Sequence, residues 1–259
     1  MSSEPLVLTA DLDAVRVLTL NRPSARNALG RELIRALYEA LITADDDPSV
    51  HAVVLTGSDP AFCAGVDLKE AARDGMEYFA EFRSHDCIAA VARMRTPVVG
   101  AVNGPTFTGG MEIALGCDFL IASERAVFAD THARVGILPA GGMTARLPQV
   151  VGAAMARRLS MTGEVVDAAR AERIGLVTEV VPHEHLLPRA IDLAAQIAEV
   201  PRDTMRDLKR IYTTGASAVV DPALEAEQQI ASRQDRDLGT LGTRFDAVSE
   251  RNRSQISRD

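Results

Sequence analysis

Two glycine-bearing segments hold the residue types best suited to chemistry. The first is Ala61-Phe62-Cys63-Ala64-Gly65-Val66-Asp67-Leu68. The second is Asn103-Gly104-Pro105-Thr106-Phe107-Thr108-Gly109-Gly110-Met111-Glu112. Each follows an apolar run that reads as a strand, and the second leads into a helical pattern. Glycine leaves backbone N–H groups unshielded and lets a ligand approach the chain closely. Two such donors facing one point form an oxyanion hole, which stabilises negative charge developing on a carbonyl oxygen. Glu112, in the first turn of the helix that follows, then stands where a general acid or base would move a proton beside that carbonyl. Either segment alone reads first as turn chemistry. Their order and common context point to a site.

The remaining candidates are weaker. His183 and His185 flank Glu184, but positions i and i+2 diverge on a helix, so the spacing favours a solvated cap over a metal pair. His51 lies in VHAVVLT and reads as structural. Cys63 adjoins the first glycine loop without a local base and reads as a small buried filler. Asp118 and Asp130 are nearby acids whose simpler reading is capping or solvation at strand ends.

These residues need a scaffold, and the apolar pattern supplies one. Residues 6–9 and 14–20 read as a hairpin about the turn-like Asp11-Leu12-Asp13. Helical spacing covers 31–44, at Leu33, Ile34, Leu37, Leu41 and Ile42. Strands are expected at 50–56, 97–102 and 118–122, and a helix at 76–94. Strand–helix–strand order through roughly residues 15–180 implies βα crossovers in a largely buried sheet, hence an α/β fold. After Pro182 strand signals cease, and 183–199, 202–214, 222–236 and 244–253 read as helices. We therefore divide the chain into an α/β core, 1–195, and a helical C-terminal region, 196–259, with no linker composition between them.

Composition narrows the function classes. The 259 residues carry a net charge of −8, are 47% apolar and 25% charged, and include only 7 Phe, 3 Tyr and no Trp. That excludes extensive disorder and argues against nucleic acid as a partner and against base-stacking platforms. No apolar run reaches the ~18–20 residues of a membrane span. Cys63, Cys87 and Cys117 are odd in number and lack CxxC spacing, which predicts free thiols in a reducing compartment and no metal site. The N-terminal MSSEPLVLTADLDAVRVLTL has neither a basic run nor an unbroken apolar core, so a folded start and a cytoplasmic location are expected.

The sequence resembles the crotonase family, also called the enoyl-CoA hydratase/isomerase superfamily, along nearly its whole length. The motifs are NRPSARNAL, VVLTGSDPAFCAGVDL, PVVGAVNGPTFTGGMEIALGCDFLIAS, FADTHARVGILPAGGMTARLPQVVG and MTGEVVDAARAERIGLVTEVV. The resemblance implies a ββα spiral core with a helical oligomerisation region, and trimers paired into hexamers. The apolar faces after residue 182, such as Leu186, Leu187, Ile191 and Ala194, would then lie between subunits. It further implies an acyl-CoA thioester as ligand, with coenzyme A part of the substrate and no separate cofactor.

On the family's pattern the oxyanion donors fall on the N–H groups of Val66 and Gly109. Ala64, Asp67, Leu68 and Lys69 fall in the CoA-lining segment, and Ser24, Ala25 and Arg26 border the nucleotide end. Arg26 is either a phosphate partner, which its guanidinium suits, or an ordinary solvated arginine. The hydratase pattern places two glutamates about one water. The first falls on Glu112, but the second falls on His132. Histidine can take or give the proton that hydration needs, with an ordinary pKa of ~6.5. Alternatively, His132 packs an altered pocket. Ala140 stands where some isomerases and dehalogenases carry an aspartate, which weakens those readings. The expectation is an enoyl-CoA hydratase-type lyase with Glu112 and His132 as its catalytic pair. The alternatives are an acyl-CoA-binding protein with little turnover, or a crotonase of another reaction class.

Overall fold

Alternation within the strands decides the architecture. Leu18, Leu20, Val53, Leu55, Val98 and Val102 face one apolar cluster, while Val15, Val17, Ala52, Val54, Val99 and Ala101 face another. A sheet apolar on both faces must be covered on both. A computed structural model describes residues 4–234 and 238–256. It carries a six-stranded sheet in the order β1 (Val7–Leu12), β2 (Val15–Leu20), β3 (Ala52–Gly57), β4 (Val98–Val102), β6 (Phe119–Ser123) and β9 (Glu179–Val181). Only β1 runs antiparallel to its neighbour. Helix α1 (Arg31–Asp46) buries Leu33, Ile34, Leu37 and Leu41 on the first face. Helix α10 (Leu186–Ala198) buries Leu186, Ala190 and Ala194 on the second.

A small sheet of β5 (Thr106–Phe107), β7 (Val127–Ala129) and β8 (Val166–Asp167) stands beside the large one. The chain leaves β4 through β5 into α5 (Gly109–Gly116), almost wholly buried, and leaves β7 into α6 (His132–Val135). Helices α7 (Met143–Val151), α8 (Ala153–Thr162) and α9 (Ala168–Arg173) follow. The C-terminal α11 (Arg202–Ser232) packs on α7. Helix α12 (Leu241–Ile256) packs on α6 and on α2 (Leu68–Asp74).

Several expected elements are redrawn. The hairpin turns at Asp13-Ala14 rather than at 11–13, with Asp13 at φ 52°, a conformation aspartate tolerates. The helix expected over 76–94 is two, α3 (Met76–Ser84) and α4 (Cys87–Arg93), because the Asp86 carboxylate caps α4 at the Ala89 N–H, 2.9 Å. The helices expected at 202–214 and 222–236 are one, continuous through Gly215 and Pro222 to Ser232. Residues 235 and 236 of that expectation lie outside those described. Residues 183–185 form a 3-10 turn before α10. The boundary drawn at residue 195 falls inside α10, which packs against the sheet.

Candidate active site

The two glycine segments meet, and side chains far apart in sequence hold them there. Asn27, fully buried at φ 53°, donates to the carbonyls of Ser58 (2.8 Å) and Ala61 (2.7 Å) and accepts from the Arg22 N–H (2.8 Å). Leu29 bridges to Val66. The buried Tyr78 hydroxyl donates to the Leu29 carbonyl and accepts from the Asp67 N–H. Cys63 bridges to Thr106, so the first segment lies along the second. The contact is close. A Cβ on Gly65 (φ 88°) would lie 1.9 Å from Thr108 Oγ1, and one on Gly110 would lie 2.2 Å from the Cys63 carbonyl oxygen. Thr108 itself holds φ 46°, a strained position for a β-branched residue.

This packing brings the backbone at Val66 close to the backbone at Gly109. A Cβ on Gly109 would be 3.8 Å from Val66 N. Gly109 opens α5, where an N–H has no partner within its helix. Among the described residues neither N–H donates to a protein acceptor.

A cleft of about 2150 Å³ runs across this point. Ser24, Ala25, Arg26, Ala64, Val66, Asp67, Leu68, Lys69, Glu112 and His132 line it, whereas Gly109 is buried and does not line it. Arg26 and Lys69 are exposed on its wall. The carboxylate of Asp67 is occupied elsewhere. It pairs with Arg22 at 2.6 Å and caps α2 at the N–H groups of Lys69 and Glu70. Burial works to raise its pKa, but Arg22 and the cap hydrogen bonds hold it below the usual range.

Glu112 and His132 face each other within the cleft, 3% and 6% exposed. Glu112 Oε1 accepts from the N–H groups of Gly141 (2.8 Å) and Met143 (3.2 Å). Its Oε2 lies 3.8 Å from His132 Nε2, too far for a direct hydrogen bond. On the other side of the ring, Nδ1 lies 2.8 Å from Asp130 Oδ1. An ionised carboxylate only accepts, so Nδ1 carries the hydrogen and Nε2 is aimed at Glu112. Burial pushes Glu112 up to about 7; Glu227 and Asp130 add to the rise, and His132 opposes it. Burial disfavours a charged His132, but Asp130, Glu112 and Glu227 outweigh it and raise the ring above its ordinary value. Burial likewise works against an ionised Asp130, and the hydrogen bond to His132 lowers it on balance.

The sequence reading missed several roles. Asp130, read as a solvated cap, is 2% exposed and orients His132. Its position two residues before the histidine was the available signal. His183, read as a solvated cap, links Ser123 Oγ (2.9 Å) to Asp59 (3.0 Å). Tyr78 and Glu227 carried no local signal. Cys63 is buried, and burial pushes its thiol up to about 12, which removes any nucleophile role at neutral pH. Among the described residues no group of three or more His, Cys, Asp or Glu could hold a metal ion, and no helix is long and apolar enough to cross a membrane. Leu186 and Ala194, expected between subunits, pack on the chain's own sheet.

The chain is similar to known proteins over most of its length. The family described as Enoyl-CoA hydratase/isomerase matches residues 11–238. A protein of Arabidopsis thaliana named probable enoyl-CoA hydratase 1, peroxisomal, is 36% identical over 217 residues, 84% of this chain and 82% of that one. The crotonyl-CoA hydratase of Syntrophomonas wolfei is 35% identical over 232 residues, 88% of each chain. The crystal structure of an enoyl-CoA hydratase from Mycobacterium smegmatis superposes with a TM-score of 0.79 at 45% identity, covering 89% of this chain and 98% of that one. Matched over most of its length in both sequence and fold, this chain belongs to the enoyl-CoA hydratase/isomerase family, the crotonase superfamily.

Proposed function

We propose that the chain is an enoyl-CoA hydratase that adds water across the double bond of a 2-enoyl-CoA thioester. The observation that carries this reading is the 3.8 Å between His132 Nε2 and Glu112 Oε2, both buried in the cleft wall. Atoms that far apart can each lie about 2.8 Å from a single oxygen between them, so one water is held by both. The N–H groups of Val66 and Gly109 bind the thioester oxygen and stabilise the charge that develops there. Ionised Glu112 takes a proton from the water as its oxygen attacks Cβ. Protonated His132, steadied by Asp130, delivers a proton to Cα. Passage of the proton from Glu112 back to His132 resets the pair. One proton on the pair is the working state, so both titrations shape the rate.

Arg26 and Lys69 serve the phosphates of coenzyme A, which is substrate, and the chemistry calls for no further cofactor. A cytoplasmic location fits the three free thiols. Assembly into trimers or hexamers fits the apolar residues left exposed on the first part of α11, Leu208, Ile211, Tyr212 and Val219. A solution mass of one 27.7 kDa chain would refute that assembly.

Crotonyl-CoA tests the activity. The parent protein consumes the conjugated thioester, and Glu112→Gln binds it without turnover. Binding by the parent without turnover would establish the acyl-CoA-binding alternative, and turnover by Glu112→Gln would remove Glu112 from the mechanism.

A further inference from the structure

The segment that holds Glu112 is gripped from its other side by a second carboxylate. Glu227, on α11, is 7% exposed. Its Oε1 accepts from the Gly142 N–H at 2.6 Å, and its Oε2 accepts from the Thr144 N–H at 2.6 Å and the Thr144 hydroxyl at 2.5 Å. The N–H groups of four successive residues thus alternate between two glutamates, 141 and 143 to Glu112, 142 and 144 to Glu227. These groups begin α7, where backbone donors have no partner within the helix. Gly142, at φ 107°, offers no side chain to cap them. Glu227 is therefore a cap supplied from a helix more than eighty residues away.

We propose that Glu227 is a positioning residue: by clamping residues 142 and 144 it fixes the N–H groups that hold Glu112 in reacting orientation, and so makes the C-terminal helix part of the catalytic apparatus. The inference rests on the reading that Glu112 transfers the proton. Its geometric basis is tight. A Cβ on Gly141 would lie 2.7 Å from Glu112 Oε2, so the segment sits directly against the carboxylate. Arg146 Nη1 donates to the Gly141 carbonyl at 2.6 Å, which completes the hold on the segment. The charged groups acting on Glu112 are His132 on α6, Asp130 after β7, Arg146 on α7 and Glu227 on α11. The negative charge of Glu227 opposes ionisation of Glu112 and favours protonation of His132.

The test uses the full-length chain, with folding followed by circular dichroism. For Glu227→Gln, kcat for crotonyl-CoA falls about tenfold or more while KM changes less than about twofold, because misplacing a catalytic group costs rate more than binding. Both limbs of the pH–rate profile move to lower pH, by about one pH unit, since a negative charge that disfavours ionised Glu112 and favours protonated His132 is gone. Two readouts are independent of turnover. Amide exchange at Gly141 and Met143 quickens, and the His132 imidazole titrates at lower pH by NMR. Parental kcat, limbs and exchange would overturn the proposal, as would a rise in KM alone. If the parent itself does not hydrate crotonyl-CoA, the hydratase reading fails, while exchange and titration still judge the clamp. Should Glu227→Gln not fold, Thr144→Val removes only the hydroxyl donor. It then lowers kcat about two- to fivefold with the limbs unmoved, and unchanged kcat and exchange would overturn the clamp.

Discussion

Replacing Glu112 by glutamine should cost activity and return stability. The carboxyl is buried in the cleft wall and its pKa is pushed from 4.5 up to about 7, chiefly by burial. A folded-state value above the unfolded one means that the folded chain binds the proton more tightly. Folding is therefore favoured below pH 4.5 relative to higher pH, and the advantage is lost as pH rises to about 7. At about 1.36 kcal/mol per pH unit, the full penalty above pH 7 is about 3 kcal/mol. Glutamine keeps an oxygen for the N–H groups of Gly141 and Met143 and never ionises. Part of the gain is offset because a charged His132 loses an attractive neighbour. Urea unfolding at fixed protomer concentration, at pH 5 and pH 8, measures the balance. Glu112→Gln should exceed the parent by about 1–3 kcal/mol at pH 8 and by much less at pH 5. Equal stability at pH 8, or a gain that does not depend on pH, would refute the claim that this carboxylate is held at a cost.

Gly109→Val sets a side chain 3.3 Å from Leu29 Cδ1 and beside Val66 N, across the two donors. Loss of one such donor costs ~2.7–4 kcal/mol, so kcat for crotonyl-CoA should fall about 10²–10³-fold with the fold retained; parental turnover would remove the assigned oxyanion site. Hydration should fall as pH rises through the His132 titration, because the ring donates only while protonated; a pH–rate profile flat on its alkaline side would reduce His132 to packing. His132→Glu restores the family's second acid but leaves Asp130 buried without its partner, at a cost of about 3 kcal/mol. Adding Asp130→Asn should recover the stability and raise hydration above that of the single variant, and additive thermal unfolding shifts would deny the coupling. Thr108→Gly relieves the residue at φ 46° and should raise stability by about 1 kcal/mol in urea unfolding; a loss would mean that its side chain contributes more by packing than its backbone costs.

What could be read in advance was local. The alternation in β2, β3 and β4 is visible residue by residue and fixes two buried faces. The glycine segments stood out because each lies between a strand pattern and a helix pattern. Reading failed where one side chain's environment is set by another element. Asp86 splits a continuous apolar pattern by capping from within it. Pro222 and Gly215 signal breaks, yet α11 runs through both. Leu186, Ala190 and Ala194 have the same helical spacing whether they cover a sheet or a neighbouring subunit, and spacing alone cannot tell the two apart. Asp130 and His132 are nearly adjacent, but a cap and a buried ion-pair partner have the same sequence signature until burial is known.

Glu227 takes that difficulty to its limit. On α11 it shares the buried stripe with Ala231, four residues on, while Ile230 is 61% exposed. A buried carboxylate next to an exposed isoleucine departs locally from an ordinary amphipathic pattern. Burying a carboxylate without partners is costly, and its three donors all come from Gly142 and Thr144, where α7 begins. The same turn must also satisfy Glu112. One helix start with four donors thus holds two buried acids, each compensating N–H groups the other leaves free. Either glutamate alone would leave part of that turn unpaired and loosen the hold on the other. The catalytic carboxylate and the C-terminal helix are in this sense a single structural device, even though 115 positions separate Glu112 from Glu227 in the chain.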